Sequence, residues 1–369
     1  MFDYRLMVTA IYLASLSSVV YLVRSEISLS FTENKVTGLS FDGQPLDLYS
    51  ETAISETLVI YKDWYEKTYG RCPPKTCYTC IRECYPYNRE RHIVHSLDGS
   101  TLTTVLHHGT VQLDKHQIEM NFRLIIGWSP GPVRGGNLPV NYLGLAFYKG
   151  SPDENFLGQL FIKNVVSERR ISICAPSDPQ TFTGTIILGK AVKTQCKILS
   201  TPIISLPAGS SGFLDARFLV LGLDFLDGHQ FEEYPYATIA AIDTGGQSIG
   251  LPKYYFQMIL NMITESASGS PVYVKVKNDV WYIQQRGRDS FPTLIIGLGT
   301  FDRNVVVKIP VKRYLGGCDG TWCRLLLVGH DSPYILLGRP FLTSSFSSFA
   351  EDQRAQKTVT FAHYDRRGG

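Results

Sequence analysis

The sequence has no run of five or more like charges, and its net charge is only +3 over 369 residues. It therefore gives no indication of a nucleic-acid partner or an acidic substrate. It also has no Asn-x-Ser/Thr acceptor, so glycosylation cannot be used to argue for or against secretion. After residue 25 no apolar run is long enough to cross a bilayer. The 44% apolar and 12% aromatic content nevertheless predicts a folded core.

An apolar stretch, "LMVTAIYLASLSSVVYLV", lies near the start of the chain at residues 6–23. It is interrupted only by Ser and Thr and is followed at once by polar sequence, which predicts a secretory signal peptide within residues 1–25. The segment before it is not clearly basic, and its length approaches that of a membrane span, so a retained N-terminal anchor is the alternative. Both interpretations predict a secreted or lumenal protein, with membrane contact only if the anchor is retained.

Eight cysteines, an even number, fit an oxidising compartment. Four of them crowd into "CPPKTCYTCIREC": Cys72, Cys77, Cys80 and Cys84. Two local disulfides are the preferred interpretation of this insert at 72–84, and a zinc or iron–sulfur site is the alternative. Cys318 and Cys323 are expected to pair locally, which leaves Cys174 and Cys196 for each other.

Short apolar runs broken by Gly, Pro, Asn, Asp and Ser dominate the rest of the chain, which predicts an all-β protein with a few short helices. The predicted strands include "TLVIY", "FRLIIGW", "GTIILGK", "YVKVK", "TLIIGLG" and "NVVVKIP". Two helices are predicted. In "NFLGQLFIKNVV", residues 155–166, apolar side chains fall on one side at helical spacing. In "PKYYFQMILNMI", residues 252–263, Pro252 suits a first helical turn.

An internal repeat is the most informative feature. "YLGLAF" and "LLGRPF" share two apolar residues, a glycine and a phenylalanine, and their glycines, Gly144 and Gly338, are 194 residues apart. A pair of acidic tripeptides has nearly the same spacing, since Glu51 lies 192 residues before Asp243. The acidic residue precedes the glycine by 93 residues in one half and by 95 in the other. These spacings predict two related halves that place residue 51 opposite residue 243.

These motifs resemble those of the pepsin-like aspartic proteases, over about residues 38–363. "AAIDTGGQSIGLP" is similar to the second active-site loop of that family, and "YILLGRPFLTSSFSSFAEDQRAQKTVTFA" to its C-terminal segment. "NYLGLAF" and "TGTIILGKAV" resemble elements of the first lobe, and "LSFDGQPLDLYSETA" resembles the hairpin that leads into the first active-site loop. The second-lobe motifs are specific, whereas the first-lobe motifs alone would be weak.

The resemblance implies a two-lobed, mainly β fold with pseudo-twofold symmetry, an N-terminal lobe at 26–207 and a C-terminal lobe at 208–369. In that family each lobe contributes one aspartate to a deep cleft that takes an extended peptide. A water between the carboxylates loses a proton to the ionised one, while the other donates to the scissile carbonyl. The catalytic pair implied here is Glu51 and Asp243. A monomer is expected, with a peptide or protein partner, no cofactor and no metal.

The sequence departs from the family pattern around this pair. Asp243-Thr244-Gly245 matches it, and Thr52 can serve as the other threonine that hydrogen-bonds across between the loops. Glu51 replaces an aspartate, and its extra methylene moves the carboxylate by about 1 Å, a misplacement of the order that costs about a hundredfold in rate. Ala53 adds a methyl where the family has glycine. Gly246 replaces a Ser or Thr whose hydroxyl supports the aspartate.

The family also closes a hairpin carrying a tyrosine over its substrate. The corresponding stretch here is "TTVLHHGTVQLDK", where His107 or His108 could take the tyrosine position. A histidine in such a turn is more often simply a surface residue. The segment is expected to be too short for a full hairpin.

Asp63, in "VIYKDWYEK", is an alternative first carboxylate because it also follows an apolar run. Trp64 and Tyr65 would then occupy positions that need a threonine and a glycine, and bulky side chains do not suit a tight loop. Glu51 is therefore preferred, and Asp63 is expected to be a solvated strand end.

Three functions remain open on the sequence alone. The first is a protein with the aspartic protease fold whose hydrolytic activity is weak or absent and which binds peptides or a protein. The second is an active endopeptidase that uses the Glu51/Asp243 pair. The third is a metal-binding protein centred on the four clustered cysteines.

Overall fold

The computed structural model describes residues 26–81, 84–95, 99–131, 138–147, 154–190, 196, 204–207, 215–224, 230–233, 239–265, 272–277, 280–286, 288, 291–300, 303–352 and 357–364. The predicted signal or anchor segment lies outside these residues. Among them, no helix is long and apolar enough to cross a membrane.

The described chain is mostly β, as predicted. The strands of the first part are β1 (Ile27–Thr32), β2 (Lys35–Phe41), β3 (Gln44–Glu51), β4 (Leu58–Tyr61), β5 (Cys77–Tyr78), β6 (Arg91–His95), β7 (Thr101–Leu113), β8 (His116–Ser129), β9 (Tyr142–Gly144), β10 (Arg169–Cys174), β11 (Thr183–Leu188) and β12 (Ile204–Pro207). Those of the second part are β13 (Asp215–Asp224), β14 (Gln230–Glu233), β15 (Ile239–Ile242), β16 (Ile249–Pro252), β17 (Val274–Lys277), β18 (Val280–Gln284), β19 (Thr293–Thr300), β20 (Arg303–Ile309), β21 (Leu315–Cys318), β22 (Trp322–Leu325), β23 (Leu327–His330), β24 (Ile335–Leu337), β25 (Ser345–Glu351) and β26 (Lys357–His363).

The described helices are short, except for one. They are α1 (Lys62–Tyr69), α2 (Phe156–Ile162), α3 (Lys253–Glu265), α4 (Val311–Tyr314) and α5 (Arg339–Leu342). A single 3-10 turn spans Pro86–Asn88. The longest of these helices, α3, buries one side against the core and exposes the other, although apolar residues lie nearly all round it in the sequence.

The same four-strand arrangement occurs twice. In the first part, β3 runs parallel to β9, β9 antiparallel to β4, and β4 parallel to β8. In the second part, β15 runs parallel to β24, β24 antiparallel to β16, and β16 parallel to β23. In the first part helix α1 begins directly after β4, and in the second part helix α3 begins directly after the corresponding strand, β16. The repeat inferred from glycine spacing is therefore a repeat of strand topology.

The two parts share a sheet. Strands β25 and β26, from the end of the chain, extend the sheet of the first part through the antiparallel pairing of β25 with β10. At the middle of that pairing Ser172 lies opposite Ser348, and their hydroxyl oxygens are 2.8 Å apart. One apolar core cluster includes buried side chains from both parts, such as Leu48 and Ile242. Burial of this continuous apolar surface stabilises the two parts together.

The structure confirms the six predicted strands and corrects several local predictions. The helix predicted at 155–166 is shorter, because α2 begins after Asn155, whose side chain accepts from Gly158 N–H at 2.8 Å, and ends at Ile162. Pro252 is the last residue of β16 and not part of the helix. Asp63 lies exposed in the first turn of α1, not at a strand end.

The segment expected to be too short for a full hairpin forms one of the longest hairpins in the described chain. Strands β7 and β8 contain 13 and 14 residues and are joined by a tight turn at Asp114-Lys115. Asp114 has a positive φ of 53°, which Asp tolerates better than most side chains. The expectation of a truncated hairpin was therefore wrong.

The predicted pairs Cys174–Cys196 and Cys318–Cys323 are confirmed, and so are two disulfides within residues 72–84, whose pairing the sequence left open. The disulfides are Cys72–Cys77, Cys80–Cys84, Cys174–Cys196 and Cys318–Cys323. Four disulfides are compatible with an oxidising compartment, secreted or lumenal.

Candidate active site

The first acidic loop begins where β3 ends. Ser50 and Glu51 pair in register with Leu143 and Gly144 of β9, and Leu145 N–H donates to the Glu51 carbonyl at 2.8 Å. Side chains alternate between the two faces of β3, and those of Leu46, Leu48 and Ser50 are buried. The Glu51 side chain, where the strand turns into the loop, is also buried and only 9% exposed. A buried carboxylate needs hydrogen-bond donors around it.

The second acidic loop begins in the same way at the end of β15. Ile242 pairs with Leu337 of β24, and Asp243 N–H donates to the Leu337 carbonyl at 3.2 Å. The chain then turns, with Gly246 N–H donating to the Asp243 carbonyl at 3.3 Å. The Asp243 side chain is half-buried. Both carboxylates therefore emerge from the first strand of the repeated four-strand arrangement.

Threonine side chains join the two loops. Thr52 Oγ1 donates to the carbonyl of Ile242 at 2.6 Å, and Thr244 Oγ1 donates to the carbonyl of Ser50 at 2.8 Å. Each hydroxyl thus bonds to the residue just before the acidic residue of the opposite loop. Thr244 N–H also donates to Thr52 Oγ1 at 3.1 Å. Because both threonines are at least 99% buried, these bonds fix the two loops against each other.

The two carboxylates face each other across Gly245. A Cβ added at Gly245 would lie 2.9 Å from Glu51 Oε2 and 3.2 Å from Asp243 Oδ1. Those two oxygens are consequently no farther apart than the sum of these distances. A side chain at position 245 would collide with the Glu51 carboxylate, so glycine makes room for it. The longer side chain of Glu51 fits because it extends over this glycine.

A backbone N–H group donates to one oxygen of each carboxylate. Ala53 N–H donates to Glu51 Oε1 at 2.9 Å, and Gly246 N–H donates to Asp243 Oδ1 at 2.8 Å. Such bonds favour the ionised form of a carboxylate and hold its orientation. The donor is two residues after the acid in the first loop and three residues after it in the second.

Gly246 leaves no room for the hydroxyl-bearing residue of the family pattern. A Cβ at this position would lie 2.7 Å from Asp243 Oδ2 and 3.0 Å from the Asp243 carboxyl carbon. The carboxylate of Asp243 therefore occupies space that a Ser or Thr at 246 would need. The Asp243 side chain can take this position because residue 246 is a glycine.

The glycines of the repeated motif, Gly144 and Gly338, pack closely against the backbone that follows the two acidic loops. A Cβ at Gly144 would lie 2.4 Å from the Glu56 carbonyl oxygen, and one at Gly338 would lie 2.3 Å from the Ser248 carbonyl oxygen. Both contacts are with the backbone five residues beyond an acidic residue. Only glycine permits this close approach, which explains the shared motif.

A buried charged group supports the first loop further. Arg123, on β8, lies 3.4 Å from a carboxylate oxygen of Glu56 and 2.6 Å from one of Glu154. The Arg123 and Glu56 side chains are 9% and 7% exposed. Ser55 Oγ also donates to Glu56 at 2.9 Å. This group was not found from the sequence, because its charges lie far apart along the chain.

Asp63 lies apart from this pair. It is exposed and accepts a hydrogen bond from the Tyr61 hydroxyl at 2.8 Å. Burial, followed by this hydrogen bond, raises the pKa of Tyr61 to about 12. Asp63 has neither the burial nor the strand-end position of Glu51. The alternative of Asp63 as the first carboxylate is therefore rejected.

His107 and His108 lie in the middle of β7, away from any turn. His107 packs against Phe122, and its Nε2 is 3.0 Å from the Tyr78 hydroxyl and its Nδ1 3.6 Å from Cys84 Sγ. Burial, followed by the nearby Arg89 charge, lowers the pKa of His107. His108 is exposed beside Asn121. The structure gives neither residue the position at a hairpin tip that the closing role requires.

A different hairpin packs against the first loop. Val94 of β6 and Leu102 of β7 share a small apolar cluster with Ile54, the residue after Ala53. Residues 96–98, between these strands, lie outside the described chain. Sequence reasoning missed this hairpin, although Asp98-Gly99 is a strong turn signal between two β-rich runs.

The Cys-rich insert does not provide free thiolates. Sγ of Cys80 and Cys84 lies within 4.8 Å of a ring nitrogen of His107, but the two sulfurs are bonded to each other. Cys72 and Cys77 form the second disulfide. Thiolate coordination needs deprotonated, unbonded sulfur, so this form of the insert does not support the metal-binding alternative.

No family model matches the chain, and a search of curated proteins finds no significant match.

Proposed function

We propose that this protein is a divergent homologue of the pepsin-like aspartic proteases, with two lobes meeting at the Glu51/Asp243 pair. It binds an extended peptide or a protein segment at that junction and hydrolyses it slowly or not at all. We further place it in the secretory pathway, consistent with its four disulfides. The lobes proposed are residues 26–207 and 208–369.

One observation carries the proposal: two acidic loops of the same topology are joined by reciprocal threonine hydrogen bonds around facing carboxylates. A core needs no such arrangement, because burying Glu51 costs free energy that packing alone does not offset. Paired carboxylates that share a site cannot both ionise easily, so one holds a proton while the other is charged. Such a pair can activate a water and protonate a carbonyl at the same time.

Two substitutions are the reason for proposing slow or absent hydrolysis. The Glu51 carboxylate lies over Gly245, so its position relative to a bound carbonyl differs from that of a shorter aspartate. Gly246 supplies a backbone donor but no hydroxyl to the Asp243 carboxylate. Catalysis depends on placing reacting groups to within fractions of an ångström, whereas peptide binding tolerates larger shifts. Binding is therefore retained more easily than turnover.

The experiment is a binding titration with a peptide that carries a hydroxyl isostere in place of one peptide bond. Such a group mimics the tetrahedral intermediate and reports on the carboxylate pair directly. Wild-type protein is expected to bind it more tightly than the matched peptide without the hydroxyl, and Asp243→Asn is expected to abolish that preference. Lys253→Met, an exposed change in the same half, is the control. Equal affinity for both peptides would refute the proposal.

An active endopeptidase is the second candidate, and the facing of both carboxylates across Gly245 favours it. Hydrolysis of a peptide library at acidic pH that disappears in Asp243→Ala and Glu51→Gln would establish it. Activity that survives Asp243→Ala would come from a contaminant.

A further inference from the structure

A cavity of about 200 Å³ lies beside the second acidic loop. Its lining includes Gln247, four residues after Asp243, and Arg339, whose backbone N–H donates to the Gly246 carbonyl at 3.0 Å. Gln180, from the first part of the chain, also lines it. The cavity is thus shared between the two parts, as the carboxylate pair is.

Two arginines are among the residues that line this cavity, Arg324 on β22 and Arg339 on α5. Arg324 Nη2 donates to the neutral side-chain oxygen of Gln247 at 2.9 Å. Its Nε is buried and has no hydrogen-bond partner among the described residues. No carboxylate of the described chain forms an ion pair with Arg324. A buried guanidinium donor without an acceptor is costly, and a carboxylate is its best-matched partner.

Arg339 is held in place by packing. Its guanidinium lies 5.0 Å from the centre of the Phe182 ring, and its Nη2 is 3.4 Å from the Glu33 carbonyl oxygen. Gly317, on the cavity wall, approaches Gln180 and adds no side chain of its own. Because the Arg339 side chain is restrained by these contacts, it loses little conformational entropy when it binds a ligand. The cavity is therefore lined by two arginines that contacts with other residues hold in place.

We propose that Arg324 and Arg339 form a subsite that recognises a carboxylate of the bound peptide, from an acidic side chain or a free C-terminus. The inference rests on the proposed function, since the cavity borders the Asp243 loop. It gives the peptide a chemical class, acidic near one position, which neither the net charge nor the motifs indicate. Neutral peptides bind without using this subsite.

The test uses amidated isostere peptides in which a single Glu is moved along the sequence, each paired with its Gln counterpart. A third arm carries Gln with a free C-terminus. At one position, or in the third arm, the carboxylate is expected to improve affinity about tenfold by calorimetry. Arg324→Gln is expected to remove this gain, so that the Glu and Gln peptides bind the variant with equal affinity. Lys312→Gln, an exposed change that removes the same charge nearby, is the control.

The outcomes separate the two proposals. If the neutral parent binds but no carboxylate helps, or if the gain survives Arg324→Gln, the subsite is overturned while the proposed function stands. If no peptide binds, the proposed function fails, and the subsite is tested alone by NMR. N-acetylglutamate α-amide is then expected to shift the Arg324 Nε–H resonance, identified by its loss in Arg324→Gln. An unchanged resonance at saturating ligand would refute the subsite.

Discussion

The two acidic loops follow the same strand topology and differ in their acidic residue and its surroundings. Both leave the first strand of the same four-strand arrangement, and both donate a threonine hydroxyl to the opposite loop. The first loop carries a buried glutamate and is supported by the Arg123 charged group. The second carries a half-buried aspartate and borders the arginine-lined cavity. The comparison teaches that a paired-carboxylate framework tolerates a longer acid when the opposing loop has a glycine beneath it.

The largest expected difference between the loops comes from the charged group behind the first one. Arg123→Met leaves Glu56 buried without its cation, and we expect a loss of about 3–5 kcal/mol in the free energy of unfolding. Lys253→Met breaks the exposed pair with Asp331 in the second half and should cost about 1 kcal/mol or less. Urea denaturation measures both. Equal losses would show that the first loop does not depend on this group.

If the two halves are equivalent, substitution of Gly144 and of Gly338 should lower the free energy of unfolding by the same amount. Gly144→Ala places a methyl group 2.4 Å from a backbone oxygen, and Gly338→Ala places one 2.3 Å from a backbone oxygen. Each is expected to lower the free energy of unfolding by about 3 kcal/mol, because backbone must move. Gly317→Ala, where the nearest atom is 3.4 Å away, is the control and should have little effect. A large loss at only one of the two glycines would break the comparison.

The threonines should reveal an asymmetry. Thr52→Val removes a donor to Ile242 and also the acceptor of Thr244 N–H, whereas Thr244→Val removes only a donor to Ser50. Both substitutions should destabilise by about 1–3 kcal/mol, with the larger loss for Thr52→Val. A double-mutant cycle followed by denaturant melts should show coupling, since the two hydroxyls hold the same pair of loops together. Additive losses would mean that the loops are held together by something else.

The smallest effects concern two half-buried histidines, one in each half. Burial lowers the pKa of His107 and of His330 below the ordinary value of 6.5. The unfolded chain therefore binds these protons more readily, so their contribution to stability is full above pH 6.5 and is lost as the pH falls towards the lowered pKa values. His107→Gln and His330→Gln should each flatten the fall in melting temperature between neutral and acidic pH. The exposed His108→Gln is the control, and an equal flattening there would contradict this account.

Much of the fold follows from local sequence pattern, because alternating or continuous apolar runs specify strands directly. The repeat was also visible, since two glycines and two acidic residues keep the same spacing in both halves. Helix α1 was missed because Trp64 and Tyr65 have strong strand propensity, and tertiary packing overrides it. The Arg123 ion pairs and the arginine-lined cavity could not be foreseen, because their members meet only through long-range contacts.

The most direct test of the paired site is a crystal structure at acidic pH with the hydroxyl-isostere peptide bound. The account predicts that the isostere oxygen lies within about 3.2 Å of both the Glu51 and the Asp243 carboxylates. A hydroxyl that contacts only one of them, or a peptide that binds elsewhere on the protein, would contradict the claim that these two residues act as a pair.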